Sequence, residues 1–191
     1  GVGAGAGYYN VTGKSNTYVG MDAGSGASGQ SNSSNTAVGK GALLAVTTGG
    51  SNVIVGALAG DAIADGSSNV AVGAEALTTA VDESGNVAVG TQALYSLNGS
   101  GTTANVAIGL ESSFRNVTGT NNTSVGYKAM QGVSGQSHSN NVGVGRLALQ
   151  NITTADSVVA IGNTAGGAIT SATYSMAIGA LAMDANTTAD Y

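Results

Sequence analysis

Few side chains in this sequence could carry out chemistry. His138 is the single histidine and there is no cysteine, so a transition-metal site would have to be assembled between chains. It lies in Gly135-Gln-Ser-His-Ser-Asn140, an insertion loop, and reads as a solvated surface residue. The ten carboxylates are Asp22, Asp61, Asp65, Asp82, Asp156, Asp184, Asp190, Glu75, Glu83 and Glu111. They fall at different places in the chain's periodic pattern, which suits turns better than the paired acids of a polysaccharide-cleaving groove. An Asp recurring every nine residues, the mark of calcium-binding repeats, is absent. The glycines from Gly1 to Gly7 lack the Lys-Ser/Thr of a phosphate loop. We therefore assign no catalytic residue, no cofactor-binding residue and no metal ligand, and expect no cofactor and no enzymatic activity.

Composition narrows the partners. The five basic residues, Lys14, Lys40, Arg115, Lys128 and Arg146, stand one at a time in a chain of net charge −5, which argues against nucleic acid, whose binding needs clustered cations. No stretch approaches the roughly 20 apolar residues of a membrane span, and no signal peptide opens the chain. Asn-x-Ser/Thr occurs at Asn10, Asn32, Asn98, Asn116, Asn121, Asn122, Asn151 and Asn186. Turn chemistry explains these, and in a glycosylating host they would be exposed acceptors. The eight aromatic residues (Tyr8, Tyr9, Tyr18, Tyr95, Phe114, Tyr127, Tyr174 and Tyr191) are too few for a carbohydrate-stacking platform, though a pair could meet across chains.

What must position these residues is a repeat. Asn35-Thr-Ala-Val-Gly-Lys-Gly-Ala-Leu43 returns as Asn69-Val-Ala-Val-Gly-Ala-Glu-Ala-Leu77 and as Asn86-Val-Ala-Val-Gly-Thr-Gln-Ala-Leu94. Marked by the glycine after the β-branched residue, the copies sit at Gly3, Gly20, Gly39, Gly56, Gly73, Gly90, Gly109, Gly126, Gly145, Gly162 and Gly179, 17 or 19 residues apart. Units this short cannot bury their own apolar faces and must stack on their neighbours. The predicted fold is all-β: one parallel β-solenoid over residues 1–191, about eleven coils, forming a rod on the order of 50 Å long at about 4.8 Å per rung. Both ends cut the pattern without a capping repeat, so the chain reads as a segment of a longer fibre protein.

With the marked Gly as position zero, −1 is Val or Ile in all eleven copies and −3 is mostly Val or Thr. These two positions form one β-branched ridge. Position −2 is small, with Tyr18 and Ile54 as exceptions, and +3 is Ala except at Ser112. One strand face should pack inside the coil, and the small faces at −2 and +3 suit close approach by another chain. Large residues at +4 (Leu43, Leu77, Leu94, Met130, Leu149, Met183) and +7 (Val46, Ile63, Leu97, Val133, Ile152, Ile169) would complete the core. The stretch from +5 to +12 is a polar outer arc, and a coil should hold two strands. Asn at −4 in eight consecutive copies, from Asn16 to Asn141, should form a hydrogen-bonded ladder at a corner rather than a ligand site.

On these residues, the chain resembles the repeats of YadA-like trimeric autotransporter adhesin heads. It resembles still more closely the "NTAVGYQAL"-type repeats of phage tail-fibre and bacterial surface proteins, which Asn86-Val-Ala-Val-Gly-Thr-Gln-Ala-Leu-Tyr-Ser96 and Asn122-Thr-Ser-Val-Gly-Tyr-Lys-Ala-Met130 match well. The resemblance implies a left-handed β-roll, a homotrimer, and an extracellular place on a cell surface or virion. The function expected is that of a structural fibre segment, shaft or head, that spaces or presents a receptor-binding region. The alternative is a direct adhesin that binds host glycan or matrix protein through the polar arc. A remote alternative is a left-handed β-helix acyltransferase, suggested by Val38-Gly-Lys-Gly-Ala-Leu43 with His138 as its only available base. That hexad occurs once per coil, not the three times such an enzyme requires. A regular ice-binding Thr row is not expected either, because Thr at −3 alternates with Val and should face inward.

Overall fold

The structure, a computed structural model, describes residues 1–185. Ten parallel strands form a single sheet in sequence order. They are β1 Thr17–Val19, β2 Thr36–Val38, β3 Val53–Val55, β4 Val70–Val72, β5 Val87–Val89, β6 Val106–Ile108, β7 Thr123–Val125, β8 Val142–Val144, β9 Val159–Ile161 and β10 Met176–Ile178. The first copy adds a single parallel bridge, Val2 to Val19. Every strand pairs with the next at equal repeat positions: Tyr18 lies beside Ala37 across a 19-residue coil, and Ala71 beside Ala88 across a 17-residue one. Insertions in the outer arc therefore leave the sheet in phase, and the chain is a parallel β-solenoid.

Each coil holds one three-residue strand where two strands were expected, and backbone geometry explains the shortness. Position −5 has positive φ in every coil from Ser15 to Tyr174, and the marked glycine ends the strand at φ 121–142°. Strand geometry is thus broken on both sides. Only glycine adopts that second conformation at little cost. It also fits because a Cβ at Gly39 would lie 2.5 Å from the carbonyl oxygen of Gly56 in the next coil.

The core corrects the sequence reading on one point. The middle residue of every strand, position −2, is buried, while −3 and −1 are half-buried or exposed. Ala37, Ala71, Ala88 and their counterparts, with the +3 alanines from Ala23 to Ala165, lie inside the coil, and only Ala6 and Ala182 at the two ends are partly buried. The small faces are the interior of a single chain and are not available to another. The β-branched ridge points out, and so do the −3 threonines expected to face inward.

Core volume is shared between −2 and +4. Where −2 is large, as at Tyr18 and Ile54, +4 is Gly24 or Gly60. A Cβ at Gly60 would meet Ile63 Cδ1 at 2.8 Å and Ile54 Cδ1 at 3.3 Å. Where −2 is Ala, +4 is commonly a buried Leu, such as Leu43, Leu77 or Leu94. Those leucines adopt φ of 54, 57 and 50°, a left-handed conformation that costs an L-residue about 1–2 kcal/mol. Burying the side chain returns about 1.5–3 kcal/mol, which offsets the strain at these positions. At +7, Val46, Ile63, Leu97, Ile152 and Ile169 are buried as expected, but Val133 is exposed.

The Asn ladder forms as predicted. Asn52 N–H donates to Asn35 Oδ1 at 3.0 Å, Asn69 to Asn52 at 2.9 Å and Asn86 to Asn69 at 3.0 Å, and the series runs on to Val158 N–H on Asn141 at 2.9 Å. Most Nδ2 groups close the corner of their own coil, as from Asn69 to the Glu83 carbonyl at 2.8 Å. These side chains are buried from Asn35 to Asn141, and each satisfies backbone groups that the turn leaves unpaired.

Candidate functional site

The buried apolar side chains fall into two blocks, one from Tyr18 to Ala107 and one from Met130 to Ala177. Between them the interior is polar. Ser112 stands at +3, where every other copy has Ala, and Ser113 at +4. Both bond to Ser124, the −2 residue of the next coil: Ser112 Oγ donates at 2.7 Å, and the Ser113 and Ser124 hydroxyls pair at 2.9 Å. Asn116 occupies +7 and closes a turn with Gly119 at 3.0 Å.

His138 belongs to this interior, which corrects its reading as a solvated loop residue. It is 2% exposed, because the insertion folds back against the Asn ladder. Its Nδ1 lies 3.5 Å from Asn122 Oδ1, and its Nε2 is buried with no hydrogen-bond partner. Burial disfavours the charged imidazolium and pushes its pKa down to about 4. The carboxylates form no site: among the described residues no group of three His, Asp or Glu side chains could hold a metal ion. Asp65 accepts from Thr47 and Thr48, which hold its pKa below the usual range. Burial raises that of Asp61. Glu83 is fully buried and its Oε2 accepts from Val81 N–H at 2.6 Å and Asp82 N–H at 3.1 Å. Asp190 lies outside the described residues.

Above the polar coil the surface also departs from the array. Tyr95 and Phe114, both at +5 in successive coils, stack with ring centroids 5.0 Å apart and planes at 17°. The Arg115 guanidinium lies 5.6 Å from the Phe114 ring. One coil further, the Tyr127 ring has Lys128 Nζ at 5.4 Å and Arg146 at 5.9 Å. Glu111 Oε2 lies 3.4 Å from Lys128 Nζ and accepts from Gln131 Nε2 at 2.7 Å, Gln131 being the +5 residue that follows Tyr95 and Phe114 in the next coil. Because Gln131 is at +5 and Glu111 at +2, the two columns adjoin. In the sequence these cations stand apart; a separation of 18 residues hides that the coil brings Lys128 and Arg146 to one ring, while Arg115 lies by Phe114 and donates to the Gly132 carbonyl at 3.4 Å.

Of the Asn-x-Ser/Thr positions, Asn98, Asn121 and Asn151 are exposed and Asn10 is half-buried, whereas Asn32, Asn116 and Asn122 are buried and cannot serve as acceptors. Asn186 lies outside the described residues. Among those residues no helix is long and apolar enough to cross a membrane. The fold and its repeat define the class, a parallel β-solenoid repeat protein. Comparison of the chain with protein-family models, curated proteins and solved structures gave no match.

Proposed function

We propose that this chain is a rod-like segment of a trimeric extracellular fibre that spaces or presents a receptor-binding region, in the manner of a phage tail fibre or a bacterial surface adhesin. The observation that carries the reading is the outward β-branched ridge. Val53, Ile108 and Ile161 are 42%, 40% and 41% exposed, and Val19 and Val72 are similar. Stacked one per rung along ten strands, they make a continuous apolar stripe of a kind that soluble monomers rarely leave bare. Three copies that share one axis would cover each ridge with two others and leave the polar arcs outside.

The test is sedimentation of the chain beside the variant Val72→Lys/Ile108→Lys. The wild type is expected to run as a trimer. The variant should run as a folded monomer, because these side chains contribute nothing to the coil interior. A wild-type chain that is folded and monomeric at micromolar concentration would overturn the reading.

A further inference from the structure

We propose that the surface formed by Tyr95, Phe114, Arg115, Tyr127, Lys128 and Arg146 is a binding site for an acidic saccharide. Charge is the first argument. Three of the five basic residues and one of the ten acidic ones lie between Tyr95 and Arg146, so this segment carries +2 while the rest of the chain carries −7. The one acid, Glu111, occupies Lys128 on one side and leaves both guanidiniums without a carboxylate partner within the patch. Guanidinium forks match carboxylate and sulfate oxygens.

Ring placement is the second argument. Tyr127 is 41% exposed with Lys128 and Arg146 held over its ring, so an acidic saccharide that meets the exposed edge of the phenol has both cations within reach of its acidic group. The half-buried Tyr95–Phe114 stack differs: its rings cover one another, and it holds a third cation, Arg115, beside Phe114.

The third argument comes from inside the coil. Beneath this patch the Ala and Leu of +3 and +4 become Ser112 and Ser113, which interrupts the apolar core where the outer surface also departs from the array; such departures from a locally consistent pattern mark sites shaped by function. Three cations are too few for the counterion release that drives nucleic-acid binding. The site uses positions +1 to +6, whereas trimer formation uses −3 and −1, so the proposal stands apart from the oligomeric state.

The experiment is isothermal titration of the full chain with a hyaluronate oligosaccharide (carboxylated), a heparin oligosaccharide (sulfated), neutral dextran and a single-stranded oligonucleotide. Binding of either acidic saccharide but not of dextran is expected, and the arm that binds identifies the anion. Lys128→Gln/Arg146→Gln should lower the affinity by roughly tenfold or more, as should Tyr127→Ala. The control Lys14→Gln/Lys40→Gln removes the same charge elsewhere and should leave affinity unchanged. Circular dichroism and sedimentation of each variant separate loss of the site from loss of fold or trimer. The proposal is overturned by silence in both acidic arms, by dextran or oligonucleotide binding as tightly, or by equal loss in the control pair.

Discussion

Acid should weaken this solenoid through one residue. His138 is buried, its Nε2 has no partner, and its pKa is about 4 in the fold against about 6.5 in an unfolded chain. Between those two values the unfolded state binds the proton and the folded state does not, so stability falls as pH drops from about 6.5 to about 4 and stays at the lower level beneath both. A gap of about 2.5 units at about 1.4 kcal/mol per unit gives a loss of about 3 kcal/mol. The assay is urea unfolding of the wild type and of His138→Gln at half-unit steps from pH 7 to pH 4. Carboxylates such as Asp65 titrate in both proteins, so the difference between the curves isolates the histidine. Gln cannot charge and can still donate to Asn122, so the variant should be within about 1 kcal/mol of wild type at pH 7. Below pH 5 it should be the more stable protein. Curves that stay parallel over the whole range, or an imidazole that titrates near 6.5 by NMR, would refute the burial argument.

Two further outcomes follow from the core. Asn69→Ala removes the acceptor of Asn86 N–H and the donor to the Glu83 carbonyl, leaving two buried groups unpaired. It should cost about 3 kcal/mol, while Asn98→Ala, at an exposed position without positive φ, should change the urea midpoint little; equal effects would mean the ladder is not structural. Ile54→Ala should cost about 3 kcal/mol by opening a cavity. Adding Gly60→Leu, which reproduces the Ala and Leu pairing of other coils, should recover more than half of it. If the double variant is no better than the single one, the exchange of volume between −2 and +4 is wrong.

Much of this architecture was legible from spacing. The period gave stacked coils, the even insertions gave an in-phase sheet, and the row of Asn at −4 gave a ladder, because each is a consequence of identical positions falling above one another. The single strand per coil was less visible. Positive φ at −5 falls on Ser, Asn, Ala and Tyr alike, and such a mixture announces no break.

The repeat by itself determined that this chain is a parallel solenoid with an apolar ridge, a small face and an Asn corner. Only the tertiary structure decided which face is inside. A three-residue strand apolar on both sides carries no alternation to choose between them, and the choice rests on how the chain turns after a glycine at φ near 130°. The same turn and the same stacking decided the rest. They folded the loop of His138 into the interior, and they brought Lys128 and Arg146, 18 residues apart, to the ring of Tyr127, because residues about a coil apart in sequence are neighbours in space.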